Sequence, residues 1–176
     1  FAVCLVAGIA LSPQRALLKS RWFWFGLAAA FLLFLPNLIW QYRHDWPTYT
    51  LLQNVRRTHK NVELAPPAFI GQQILAMLPA AALVWIAGLI WTLRQRALRF
   101  VGVTFVFFFA LMMALKAKDY YLAPAYPALL AAGGVWWSAR KPWARATVAG
   151  FVVIMGVVPA PFALPVLPDA RFIAYQ

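Results

Sequence analysis

Apolar residues in this chain gather into long runs, separated by short clusters of arginine and lysine or by tracts that hold the few acids. A bilayer core of about 30 Å takes roughly 20 consecutive apolar residues as helix, so runs on this scale predict membrane spans. They fall at residues 22–41, 69–93, 100–115, 122–138 and 147–164. Residues 1–11 are too short to span and read as the tail of a truncated helix, since the chain opens on Phe1, not Met, inside an apolar run. The expected fold is all-α: one polytopic transmembrane domain over 1–176, with about five spans plus the truncated first one, and a long loop at 42–68. Pro66 and Pro67 suit the start of the 69–93 helix, where a missing N–H costs nothing. Pro159, Pro161, Pro165 and Pro168 end the last helix and favour an extended exit.

Charge orients these spans. One set of alternate loops carries Arg15, Lys19 and Arg21, then Arg94, Arg96 and Arg99, then Arg140, Lys141 and Arg145. These loops are short, basic and free of acids, the mark of a cytoplasmic face. The opposite set holds Asp45, Glu63, Asp119 and Asp169, all the acids of the chain, together with both histidines. The net charge of +12 is spread between apolar runs, which argues for membrane orientation and against a nucleic-acid partner. Cys4 is the single cysteine, so neither an internal disulfide nor a thiolate metal cage is available.

Candidate chemistry concentrates on the acidic side. Lys116, Lys118, Asp119, Tyr120 and Tyr121 occupy six residues between two apolar runs, and the two lysines run against the positive-inside bias. Lysine binds phosphate as a point charge, and tyrosine can donate to the same oxygens. The competing reading is interfacial, with snorkelling lysines and belt tyrosines. Arg56, Arg57, His59 and Lys60 form a second candidate set of phosphate contacts, or else a solvated face or a grip on lipid headgroups. Leu51, Leu52 and Val55 recur beside them at helical spacing, predicting a short amphipathic helix in the interface.

Other signals are weaker. His44, Asp45 and His59 match no common metal-ligand spacing, so neither metal nor cofactor is expected. Trp22, Trp24, Trp85, Trp91, Trp136, Trp137 and Trp143 read as interfacial belt residues. Asp45 and Glu63 are loop carboxylates for which capping or solvation is the commoner role. No phosphate-binding glycine loop, dinucleotide fingerprint or glycosylation sequon occurs.

Two stretches carry a family resemblance: 36–47, Pro-Asn-Leu-Ile-Trp-Gln-Tyr-Arg-His-Asp-Trp-Pro, and 118–127, Lys-Asp-Tyr-Tyr-Leu-Ala-Pro-Ala-Tyr-Pro. The chain from about residue 22 to 138 resembles the bacterial membrane glycosyltransferases of the GT-C superfamily, those related to aminoarabinose transferase and the dolichyl-phosphate-mannose protein mannosyltransferases. The resemblance implies a multi-pass enzyme of the bacterial inner membrane with its site on the outer face. Such an enzyme takes a sugar from a polyprenyl-phosphate carrier and passes it, with inversion, to a lipid, glycan or protein acceptor. It also implies a catalytic acid in the first outer loop, upstream of Phe1, so none of Asp45, Glu63 or Asp119 is assigned as the base. A different class stays open at this level: a transporter or flippase for a lipid-linked or anionic substrate, built on helices broken at Pro36 or Pro79. Against it, no charge falls in the middle of a proposed span and no internal repeat is visible. A non-catalytic membrane scaffold is a third reading.

Overall fold

The computed structural model describes residues 1–57 and 64–160, the side chain of Arg56 excepted. His59, Lys60, Glu63, Asp169 and the proline-rich exit beyond Ala160 lie outside the described residues. Within them the chain is helical, with no strand. The helices are α1 (Ala2–Ala10), α2 (Arg21–Arg43), α3 (Pro47–Arg57), α4 (Pro66–Ala76), α5 (Pro79–Arg94), α6 (Arg99–Ala114), α7 (Tyr126–Ser138) and α8 (Pro142–Val157). Two 3-10 segments, Pro13–Lys19 and Asp119–Ala125, precede α2 and α7. One described helix, α2, is long and apolar enough to cross a membrane, and up to three spans result if each bent helix pair counts as one.

The single span expected at 69–93 is two helices, bent by 107°. Proline explains the break. Pro79 has no N–H for the helix ladder and disfavours helical backbone at the residue before it. Leu78 accordingly turns to φ 64° and caps α5. Pro66 and Pro67 open α4 as their missing donors predict. Pro36, by contrast, sits within α2 without ending it. The run at 122–138 also divides, because residues 119–125 form a 3-10 segment and α7 begins only at Tyr126.

The core gathers where α4, α5, α6 and the start of α7 meet. Trp85, Phe105 and Tyr126 form an aromatic triangle with ring centroids 5.3–6.1 Å apart, and Phe69 packs edge-on against Phe109 at its side. Trp85 is only 7% exposed, which corrects its placement in an interfacial belt: it lies midway along α5, where a bulky ring fills the centre of the bundle. Trp22, Trp24 and Trp143 stand exposed near helix starts. α1 packs on α6 through Gly8, where any Cβ would strike Thr104. α2 buries none of its residues against the rest; Leu33 is 85% exposed.

Helices α5 and α7 make the closest backbone approach. A Cβ at Gly88 would lie 2.0 Å from the Leu129 carbonyl oxygen, and one at Gly133 would lie 2.0 Å from that of Val84. Each glycine therefore faces the carbonyl four residues before the other, a small-residue contact that lets two helix backbones approach closely. Helix propensity alone makes glycine-to-alanine favourable by about 0.8–1.0 kcal/mol. The packing reverses the sign: Gly88→Ala or Gly133→Ala is expected to cost about 1–3 kcal/mol through overpacking against backbone. Gly150→Ala in α8, with open space around it, is the control and should be neutral or stabilising. Thermal unfolding of the three variants in detergent reads the difference, and equal behaviour of all three contradicts the close crossing.

Candidate functional site

The five clustered residues lie on one turn between α6 and α7. α6 stops with the pair of reversed bonds that closes many helices: the Lys116 N–H donates to the Met113 carbonyl at 3.1 Å, and the Ala117 N–H to that of Met112 at 2.9 Å. This stop places Lys116 in the left-handed region at φ 50°, a position usually held by glycine. For a residue with a Cβ that conformation costs about 1–2 kcal/mol. The chain then reverses into the 3-10 segment Asp119–Ala125.

The reversal fans the polar side chains outward. Lys116, Lys118, Tyr120 and Tyr121 are exposed, and Asp119 is half-buried. The Lys118 ammonium sits 5.7 Å from the centre of the Tyr120 ring, and the two tyrosine rings meet edge-on at 5.0 Å. The hydrogen bond from Lys118 to the Tyr120 phenol is the main influence pushing the lysine pKa above its ordinary value, so Lys118 is fully charged at neutral pH.

One buried side chain fixes this turn to the bundle. Gln73 on α4 is 1% exposed, and its Nε2 donates to the Asp119 carbonyl at 3.1 Å. Its Oε1 accepts from the Tyr126 hydroxyl at 2.8 Å, and Tyr126 is also 1% exposed. Asp119 thus holds the turn through its backbone. Gln73 was not among the sequence candidates. Its signal was a polar amide inside an apolar helix, a group that needs partners wherever it is buried.

The residues singled out near 44–57 have a different setting. α2 closes with Asp45 at φ 56° and the Trp46 N–H bonded to the Gln41 carbonyl at 2.8 Å. Gln41 then reaches across the corner: its Oε1 accepts from the Thr48 N–H at 3.2 Å and its Nε2 bonds the Thr48 hydroxyl, so α2 supplies the first-turn cap of α3. His44 stacks on Trp40, centroids 4.6 Å apart, with Nδ1 2.8 Å from the Trp40 carbonyl. The expected amphipathic helix is α3, with Leu51, Leu52 and the terminal Arg57 exposed. Through Gln41 its start is fastened to α2. Of the secondary set, the side chain of Arg56, and His59 and Lys60 entirely, lie outside the described residues. No group of three histidine, cysteine or carboxylate side chains able to hold a metal occurs among the described residues.

Comparison with protein-family models, with curated proteins and with solved structures finds no match to this chain.

Two outcomes follow from the geometry. Gln73→Leu leaves the Tyr126 hydroxyl and the Asp119 carbonyl without their partner and should cost about 2 kcal/mol or more, since each buried orphan costs about 1–3 kcal/mol. Lys116→Gly removes the steric penalty at that φ, worth about 1 kcal/mol, and should stabilise the chain relative to Lys116→Ala, which keeps the Cβ. Detergent unfolding midpoints check both, and a Lys116→Gly less stable than Lys116→Ala contradicts the left-handed helix stop.

Proposed function

We propose that this chain belongs to a multi-pass membrane glycosyltransferase that takes a sugar from a polyprenyl-phosphate carrier at the outer face of the bacterial inner membrane. The observation that carries the reading is the turn at 116–121, where two lysines and two tyrosines stand exposed on a base fixed by a buried amide. The family resemblance of residues 36–47 and 118–127 supports it. So does the largely exposed apolar surface of α2, since apolar patches beyond a few hundred Å² mark membrane or protein contacts. The shorter apolar helices α6 and α8, and the bent pair α4–α5, supply the further spans of this reading.

The chemistry follows from charge. A sugar phosphodiester carries one negative charge; as the glycosidic bond breaks, the departing lipid phosphate gains a second. Fixed cations that meet that oxygen bind the transition state more tightly than the ground state. Lys116 and Lys118 fill this role, and the Tyr120 and Tyr121 phenols donate to the same phosphate. The half-buried Asp119 carboxylate contacts the sugar or steadies a lysine. The acceptor, a lipid, glycan or protein hydroxyl or amine, attacks from the face opposite the phosphate and loses its proton to a carboxylate base. No residue of this chain is assigned as that base.

One observation favours a transporter or flippase instead: the 107° break at Leu78–Pro79, since broken helices build transport sites. Transport sites, however, bring ionisable groups or helix ends to the broken backbone. The break itself is formed by Met77, Leu78 and Pro79, none of them ionisable, and the charged turn is tied to α4 one helical turn earlier, through Gln73. Transfer chemistry therefore stands as the preferred reading.

Lys118→Ala in the full-length protein, correctly inserted, should lower turnover by about a hundredfold, matching the loss of one oxyanion donor at about 2.7–4 kcal/mol. Lys116→Gly should be slower as well, despite the steric penalty it removes. Unchanged sugar transfer by Lys118→Ala removes the turn from the site.

A further inference from the structure

Away from the lysine turn, two apolar grooves flank the α5–α7 pair and share Trp137 as a common wall. The first, about 350 Å³, is bounded by Val84, Trp137 and Ser138 on one side and by Arg145, Val148 and Val152 of α8 on the other. The α8 residues recur at three and four positions, so they form one helix face. Polarity changes along it in one direction. Ser138, Trp137 and Arg145 stand at the end next to the basic loop Ala139–Arg140–Lys141, and valines line the rest. The second groove, about 340 Å³, follows α5 from Leu83, whose carbonyl accepts from the Trp137 indole N–H at 3.1 Å, past Ile86 and Ile90 to Arg94 at the far end of the helix. The Arg140 guanidinium lies 3.8 Å over the Trp136 ring, which adds a cation beside Trp137, the wall the two grooves share.

A groove that is cationic at one end and hydrocarbon along its length has the shape of a phospholipid. Charge selects the kind. The described acids, Asp45 and Asp119, belong to other loops, so no described residue lining these grooves would pair with the ammonium of a zwitterionic headgroup. Arginine also forms paired bonds to phosphate. Basic pockets between apolar helices are where anionic headgroups collect. We propose that the α5–α7–α8 groove is a binding site for an anionic glycerophospholipid, with its phosphate on Arg145 and an acyl chain along Val148 and Val152. The site rests on the membrane reading of the chain but not on sugar transfer. It is separate from the lysine turn, and the lipid here is a bound structural or regulatory ligand, not a sugar donor.

The test uses the full-length protein in detergent, titrated with phosphatidylglycerol or with phosphatidylcholine of the same acyl chains. Native mass spectrometry reads retained lipid, and thermal unfolding reads stabilisation. Phosphatidylglycerol should be retained preferentially, and Arg145→Ala should weaken that preference by about tenfold, the loss of a charge-assisted bond. Arg15→Ala removes the same charge from another basic loop and should leave the preference intact. Equal retention of the two lipids, or a preference that survives in a folded Arg145→Ala, overturns the site. A drop of equal size in Arg15→Ala also overturns it, because the preference then reflects bulk charge. No sugar donor enters the assay, so its result stands apart from that of the transferase reading.

Discussion

A single buried amide determines whether the lysine turn has a fixed geometry. Gln73 bonds the Asp119 carbonyl with one end and the Tyr126 hydroxyl with the other, so α4, the 3-10 segment and the start of α7 share one node. Buried polar groups are expensive when unpaired, and their networks specify a unique arrangement when complete. Trp85 and Phe105 pack against the ring of Tyr126 and so brace one side of this node. A lysine pair on a floppy loop would serve as a diffuse counter-charge. On a pinned turn, under the proposed transferase reading, the same pair would meet a phosphate with less reorganisation, which is the condition for strong electrostatic stabilisation.

The bundle beneath that node is held by shape. Gly88 and Gly133 bring two backbones close enough that Val84 and Leu129 carbonyls touch the opposing helix. This pair packs on α6 and, with α8, walls the first apolar groove. Strain is concentrated at the ends of helices: Asp45, Trp46, Leu78 and Lys116 all take positive φ where a helix stops or restarts. Two of these positions are charged and two precede a proline, so the folded chain retains costly residues at its corners.

Much of this was legible in the sequence, for stated physical reasons. The apolar runs announced helices, Pro66 and Pro67 announced the start of α4, and the spacing of Leu51, Leu52 and Val55 announced α3. The charged turn stood out because lysine, aspartate and tyrosine interrupt hydrocarbon. The break at Leu78 was harder to place, because an isolated proline in an apolar run reads equally as a kink, as at Pro36, or as a stop. Trp85 was misread since interfacial and core tryptophans have the same composition, and only its depth along α5 separates them. Gln73 escaped notice because its value comes from partners 46 and 53 residues away, a relation no local pattern encodes.

The most direct measurement is a photo-crosslinking map with a polyprenyl phosphate that carries a photoreactive group beside its phosphate. The full-length protein in native-like membranes would be labelled, digested and sequenced by mass spectrometry. If the lysine turn receives the carrier phosphate, saturable adducts fall on residues 116–121 and are displaced by unlabelled polyprenyl phosphate. Adducts confined to α2, α3 or the basic loops, with residues 116–121 covered but unlabelled, would contradict the assignment of the site.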